Sequence, residues 1–299
     1  MSSIVERVFI VGGTGNIGRK VVNDLLDNNV AVTLYARNPV KVQDLFSSHK
    51  NSKHLVNVVQ GDYHDLSPIQ EGIKGHTRLF LLVADFNNFV NCKLTISQYA
   101  YVAGVQQIVD ISSFSVNAGW RESLIGSNHY LAEKAIFEIP NRGHFVALRP
   151  GRFMSNIFMQ AQTMTTTGAM YDITDPNKAH GWISPNDIGA VAAVILREDI
   201  KKHADAVYHL TGDVSTPSKL VHIISSLIDR DIAYIQISPV QKYNKLMETG
   251  HISHLLAIDL IDNLENNRDD VITPTIEILL GRKPETLEEY LLANKSQFY

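Results

Sequence analysis

Val8-Phe9-Ile10-Val11-Gly12-Gly13-Thr14-Gly15-Asn16-Ile17-Gly18 is the stretch that decides the fold. A β-branched apolar run turns through glycines into Asn16 to Asp27, where Ile17, Val21, Val22, Leu25 and Leu26 recur at helical spacing. Strand, glycine turn and helix in that order form a βα unit. Gly12 permits the tight turn, Gly15 lets a backbone approach a pyrophosphate, and Gly18 lets the helix pack closely on the strand. The free N–H groups where the helix begins, at Thr14, Asn16 and Ile17, favour anionic oxygens. A glycine-rich turn can also simply join a strand to a helix; the strand before this one and the helix after it weigh towards a dinucleotide.

Working outward, further strands are expected at Ala31 to Tyr35, Val56 to Val59, Leu79 to Val83, Gln107 to Ile111 and His144 to Leu148, with helical patterns between most of them. Continuously apolar strands separated by helices predict an α/β fold, a doubly wound parallel sheet covered on both faces. After Arg149-Pro150-Gly151 the pattern changes. Met154 to Met170 has no strand period, and Trp182 to Asp187 reads as a turn into a helix. Tyr208 to Leu210 and Ile232 to Ile237 read as strands and Ser215 to Ile228 as a helix. Gly281 is a C-cap, and Thr286 with Glu289 is a capping box. This divides the chain into a dinucleotide-binding domain over 1–150, to which 182–213 returns, and a smaller, mainly helical substrate or lid region over 151–181 and 214–299.

Composition narrows the function. The 299 residues are 44% hydrophobic, enough for a sizeable core. With 27 Lys and Arg against 31 Asp and Glu, the net charge of -4 leaves no basic excess for phosphate backbones, so nucleic acid is not an expected partner. The single cysteine, Cys92, makes no internal disulfide and fits a reducing compartment. The apolar stretch Leu79 to Ala84 is too short to cross a bilayer. These features predict a soluble, cytoplasmic protein without a membrane partner. His251 and His254 have neither a carboxylate nor a third imidazole at metal spacing, so no metal is expected.

The second strand selects the dinucleotide. An acidic side chain at its end would accept from an adenosine ribose 2′-hydroxyl, but Tyr35-Ala36-Arg37-Asn38-Pro39 offers a guanidinium instead, which favours NADP(H) over NAD(H). Lys41 either adds a second charge near the 2′-phosphate or is a solvated helix residue. Asp62, after Gly61, either accepts from the adenine amino group or serves as a turn residue or cap.

GGTGNIG at Gly12 to Gly18, Arg37-Asn38-Pro39, Gly61-Asp62, Leu148-Arg149-Pro150-Gly151 with Phe153 and Asn156, Trp182-Ile183 with Asp187-Ile188, and Leu210-Thr211-Gly212 stand in this order. Together they resemble the NmrA-like family of atypical short-chain dehydrogenases/reductases, from about residue 7 to residue 291. The resemblance implies a Rossmann domain binding NADP(H) and a smaller C-terminal region. It also implies that Val83, Ala84 and the loop through Phe86 lie near the nicotinamide ribose, and Pro150 near the nicotinamide ring. The family mixes reductases of quinones, enones and related double bonds with redox-sensing regulators, so fold alone leaves function open.

Asn128 to Lys134 precedes the Arg-Pro-Gly turn, on a segment whose Leu131, Ala135, Ile136 and Ile139 suggest a helix. Tyr130 and Lys134, four apart, share one face of it. An ammonium beside a phenol stabilises its anion, so Tyr130 is the candidate proton donor and Lys134 the candidate ribose ligand. The third member of such a set would be Ser112 or Ser113, although either also simply ends a strand. His129, Glu133 and Lys134 resemble the His-x-x-x-Glu-Lys pattern of the quinone reductase branch, where a positioned tyrosine is not general. A lone histidine such as His129 is more often a surface residue, or one set behind the site, than a catalyst, and His129 stands here as a candidate substrate contact. Phe153, with Met154, Phe158 and Met159, forms either a substrate wall or core.

The leading expectation is an NADPH-dependent oxidoreductase passing hydride to a small apolar carbonyl, quinone or enone. Its competitors are an NADP(H)-sensing regulator acting through a protein partner, and a dinucleotide-binding protein without catalytic activity.

Overall fold

The structure is a computed structural model that describes residues 7–118, 121–262 and 270–299. In chain order the first part runs β1 (Arg7–Val11), α1 (Asn16–Asp27), β2 (Ala31–Ala36), α2 (Pro39–Phe46), α3 (Ser52–Leu55), β3 (Val56–Gln60), α4 (Ser67–Gly72), β4 (Arg78–Leu81), α5 (Phe89–Val102), β5 (Gln107–Ile111), α6 (Leu124–Phe137) and β6 (His144–Pro150). It continues with β7 (Arg152–Phe153), α7 (Ala161–Thr167), β8 (Ala169–Asp172), β9 (His180–Ile183), α8 (Pro185–Ile195), α9 (Ile200–His203), β10 (Val207–Leu210) and β11 (Asp213–Ser215). The last elements are α10 (Pro217–Ile228), β12 (Ala233–Gln236), α11 (Pro239–Glu248), α12 (His254–Asp262), α13 (Thr275–Leu280) and α14 (Leu287–Ala293).

Seven strands form one sheet in the order β10-β6-β5-β4-β1-β2-β3. β1 pairs in parallel with β2 on one side (Phe9 opposite Thr33) and with β4 on the other (Phe9 opposite Leu79), so the winding reverses between β1 and β4. In open α/β sheets ligands bind at this switch, outside the carboxyl ends of the strands. The apolar runs read from sequence are the buried centre: Val8 to Val11 and Leu79 to Leu81 are fully inaccessible, as strands covered on both faces must be. The doubly wound sheet expected from the sequence is therefore the fold.

The chain forms two compact units. One comprises the chain through Ser112, Asn128–Arg149 and Ile188–Tyr208. The other comprises Ser113–Ser127, Pro150–Asp187 and the chain from His209 onward. The second has a three-stranded sheet, β11-β9-β7, and a parallel pair, β12-β8, around a core that includes Met154, Ile157, Met164, Leu220 and Leu291. Short strands thus accompany the helices expected there.

Met154 to Met170 resolves into a 3₁₀ stretch (Met154–Gln160), α7 and the start of β8. Trp182 and Ile183 do not lie in a turn, as expected from sequence, but in β9, whose two edges pair with β7 and β11, Trp182 facing Arg152 on one side and Asp213 on the other. The punctuation residues were readable: Gly281 ends α13 at φ +64°, and Thr286 with Glu289 forms a reciprocal capping box on α14.

Candidate functional site

The glycine loop leaves the carboxyl end of β1 beside β4. A Cβ on Gly12, which sits at φ +85°, would lie 2.6 Å from the Leu82 carbonyl oxygen. A Cβ on Gly18 would lie 2.1 Å from the Gly12 oxygen, so the loop and the first turn of α1 are in backbone contact. Gly13, which the motif did not single out, is pressed between Leu34 and Ile10. Gly15 differs: it is exposed, and a Cβ there would meet only the Gly12 oxygen, at 3.8 Å. As N-cap of the 12-residue α1 it offers no side-chain acceptor, and no acidic residue occupies the first turn. The Thr14, Asn16 and Ile17 segment therefore presents helix-start N–H groups without an internal carboxylate, an arrangement that suits phosphate.

Arg37, at the carboxyl end of β2, is exposed, and its guanidinium meets no carboxylate among the described residues. Asn38 caps α2 by accepting from the Lys41 amide at 3.2 Å, which leaves the exposed Lys41 side chain in the first turn. Asp62 is a turn residue, since its Oδ1 accepts from the His64 amide at 2.8 Å. The Tyr35 hydroxyl lies 2.6 Å and 2.7 Å from the Asp62 and Asp65 carbonyl oxygens, and its ring occupies the space a Cβ on Gly61 would need. Burial first, then these two aspartates, push the Tyr35 phenol up to about 12. Tyr63 donates to the Leu82 carbonyl and is also pushed up to about 12, chiefly by burial. Both phenols stay neutral and act as struts.

Beyond β4, Val83 is buried and Ala84 exposed. Phe86, 40% exposed, stacks on the buried Phe89 with ring centroids 5.1 Å apart. Phe89 in turn meets the edge of the His129 ring at 4.6 Å. His129 is 7% exposed and its Nδ1 has no hydrogen-bond partner among the described residues. Burial, aided by the charge of Lys93, holds its imidazole well below the ordinary histidine range.

α6 carries His129 and Glu133 on one face and Tyr130 and Lys134 about 100° further round. The structure parts Tyr130 and Lys134 from His129, which packs on Phe89, while Glu133 borders the same hollow as they do. Tyr130 is 45% exposed, and Lys134 donates to Glu138 on the surface, a contact that raises the Lys134 ammonium. Both line a hollow of about 260 Å³ that also reaches Phe137, Phe145 and Val207. Glu133 is engaged inward: it accepts from the Ser112 hydroxyl and from Nε and Nη2 of Arg149. Ser113 caps a short 3₁₀ turn at Phe114–Asn117.

Sequence reasoning missed the buried pair beneath this site. Lys93 of α5 and Asp110 of β5 are both inaccessible, with Nζ 2.7 Å and 2.9 Å from the two carboxylate oxygens and 2.8 Å from the Ile111 carbonyl. Burial pulls Lys93 down and pushes Asp110 up to about 6, each offset in part by the other's charge. The available signal was a single charged residue in each of two otherwise uncharged runs, QIVDI and the Phe89–Val102 helix.

Pro150 and Phe153 belong to the second unit. There Phe153 is half-buried in β7, Met154 is core, and Phe158 packs on Phe298 and Tyr290. Of the apolar stripe considered from sequence, Met154 is thus core, Phe158 is partly buried against the core and Met159 is 71% exposed. Asp187 is a staple, its carboxylate accepting from the Glu285 amide and from Arg282. Among the described residues no helix is long and apolar enough to cross a membrane.

A doubly wound sheet with a glycine loop at its switch point defines a Rossmann-like α/β protein. More narrowly, the chain belongs to the NmrA-like family, whose model matches residues 5–291. It is 24% identical to an NAD(P)H azoreductase of Xenophilus azovorans over 97% of this chain and 99% of that one. An NADPH-dependent quinone oxidoreductase from Escherichia coli, solved with NADPH, matches at a TM-score of 0.81 and 22% identity, covering 96% of this chain and 99% of that one. NmrA, a negative transcriptional regulator solved with NADP, matches at a TM-score of 0.74 and 14% identity over 97% and 95%. The same fold thus serves a reductase and a regulator.

Proposed function

We propose that the protein is an NADPH-dependent oxidoreductase that passes hydride to a conjugated apolar acceptor such as a quinone, an enone or a related carbonyl. The observation that carries this reading is the open glycine loop at the uncapped start of α1, with the guanidinium of Arg37, unpaired among the described residues, at the end of β2 where an NAD-binding protein would place a carboxylate. The names of the azoreductase and quinone oxidoreductase relatives support it.

In this reading Asn16 and Ile17 hold the pyrophosphate through backbone N–H groups and Gly15, whose own N–H turns back to the Gly12 carbonyl, leaves the approach open, with Gly12 and Gly18 keeping the loop in shape and Thr14 flanking it. Arg37, assisted by Lys41, takes the 2′-phosphate, and Val83 and Ala84 border the nicotinamide ribose. NADPH, when bound, supplies two electrons and a proton as hydride. The acceptor's heteroatom gains negative charge as its carbon gains hydrogen, and the balancing proton comes from a donor or from water. His129, neutral and with a buried ring nitrogen that has no partner among the described residues, would hydrogen-bond that heteroatom once the acceptor displaces what covers it, and Phe86 would offer an exposed aromatic face. Tyr130 could serve as donor only from the outer face of α6, and Lys134 would have to leave Glu138 to reach a ribose hydroxyl.

The test is NADPH oxidation, followed by its absorbance, against quinones, enones and aldehydes, with Arg37→Ala alongside. Turnover is expected, with the variant losing roughly 10- to 100-fold in NADPH affinity and little in NADH affinity. Tight NADPH binding without turnover on any acceptor would favour a sensor acting through a protein partner, and equal losses for both dinucleotides would remove Arg37 from the phosphate.

A further inference from the structure

Lys93 is wholly buried, yet it touches no position assigned to cofactor or acceptor. Its ammonium lies 4.6 Å from the centroid of the Phe89 ring, and the Phe89 ring meets the edge of His129 at the same centroid distance, 4.6 Å. Phe86 covers Phe89 from the outside in a nearly parallel stack, at an interplanar angle of 6°. An ammonium, an aromatic ring and an imidazole edge thus stand in series, and the imidazole Nδ1 is buried without a partner among the described residues. An unpaired buried nitrogen is costly to keep, and a site that retains one has it available for a ligand.

We propose that Lys93 is a positioning residue for His129: anchored by Asp110 and the Ile111 carbonyl, its buried ammonium fixes Phe89 against the imidazole and sets a positive charge behind it, so that His129 meets the acceptor as a neutral hydrogen-bonding group. The proposal rests on reading His129 as the acceptor contact. The other charged groups packed around this part of α6 do not supply the same effect. Glu133, one turn on, is neutralised by Arg149 of β6, and Asp110 of β5 is spent on Lys93. Lys93 is accordingly the charge that acts on His129, in the same direction as burial. A neutral imidazole suits a reductase working near pH 7, because the ring neither repels a cationic cofactor product nor changes charge as the pH crosses the ordinary histidine range.

The experiment is a histidine ring-proton NMR titration of the whole protein, with the His129 signal identified by its loss in His129→Gln. In Lys93→Met the His129 titration point is expected to rise by about one unit or more, and in Asp110→Asn, where the buried amine loses the carboxylate that holds it charged, it is expected to rise as well. Lys93→Arg is expected to keep the low value. Simple loosening of the site would admit water and raise the titration point in Lys93→Arg as well, so a rise in that variant would overturn the proposal. An unchanged value in Lys93→Met would overturn it too. Should a single variant fail to fold, Lys93→Met/Asp110→Asn removes both charges together; it is then expected to raise the titration point, and an unchanged value again overturns the proposal. None of these readouts needs turnover, so they stand apart from the NADPH oxidation assay. If the reductase reading also holds, the acid limb of kcat/KM moves with the titration point.

Discussion

Arg149 grips Glu133 at two points, Nε to Oε1 at 3.0 Å and Nη2 to Oε2 at 2.5 Å, with both side chains less than one-fifth exposed. The pair joins α6 to the carboxyl end of β6, and the Ser112 hydroxyl joins it to the end of β5. A carboxylate removed from such a pair leaves a largely desolvated guanidinium behind. Glu133→Ala is expected to lower stability by about 2–4 kcal/mol in urea unfolding, and Glu133→Gln by less, since the amide oxygen still accepts one hydrogen bond. A loss under about 0.5 kcal/mol for both would mean that water already screens the pair.

Gly15 and Gly18 should part company under the same substitution. A methyl at Gly18 collides with the Gly12 oxygen, whereas at Gly15, with φ -85°, it meets nothing closer than 3.8 Å. Gly18→Ala is therefore expected to cost about 1–3 kcal/mol of stability. Gly15→Ala should leave the unfolding midpoint nearly unchanged while NADPH binding falls, because the space it fills is the side from which a pyrophosphate would approach. Calorimetric binding and thermal unfolding on both variants check this; a destabilised Gly15→Ala with intact binding would contradict it.

What the sequence made legible and what it hid follow from the range of the interactions. The glycine loop, the caps at Thr286 and Gly281 and the apolar strands are local signals, readable within a few residues. Tyr130 and Lys134 were also read locally, at correct spacing for a shared face, but spacing cannot say which face of α6 turns inward. That is decided by packing across the sheet: Ala132 and Ile136 join the core with Phe89 and Phe145 and carry His129 inward with them. Lys93 and Asp110 lie 17 residues apart and meet only when α5 crosses β5. Trp182 joined a strand because partners from both sides in sequence, β7 and β11, complete its ladder.

The two faces of α6 make opposite predictions for catalysis. Tyr130→Phe removes a hydroxyl on a half-exposed ring and is expected to change kcat/KM for a quinone less than about twofold. His129→Phe removes the free ring nitrogen while keeping an aromatic against Phe89, and is expected to lower kcat/KM by about 10-fold or more, the worth of one hydrogen bond in a dry site. Lys134→Ala should leave NADPH affinity within about twofold. A large loss in Tyr130→Phe with little in His129→Phe would return the proton donor to the outer face of the helix.

His129 also ties stability to pH. Its folded-state value lies well below 6.5, and that of His76, also buried, whose Nε2 lies 2.8 Å from Thr33 Oγ1, is lowered too. Near pH 6 the unfolded chain takes up a proton at each of these rings more readily than the folded chain does, so stability falls as pH drops below about 6.5 and is full above it. Asp110, raised to about 6 by burial, has the opposite sign: the folded state holds its proton more readily than the unfolded, which stabilises the fold as pH falls through that value. The His129 contribution is therefore isolated by difference. Wild type and His129→Gln, unfolded in urea from pH 8 to pH 5, should differ by a constant amount above about pH 7.5 and converge or cross as the pH falls, because only the wild type must exclude a proton at that position. A difference that stays constant across the whole range would show that His129 binds protons equally well folded and unfolded, contrary to its burial against Phe89 and to the charge of Lys93 beyond that ring.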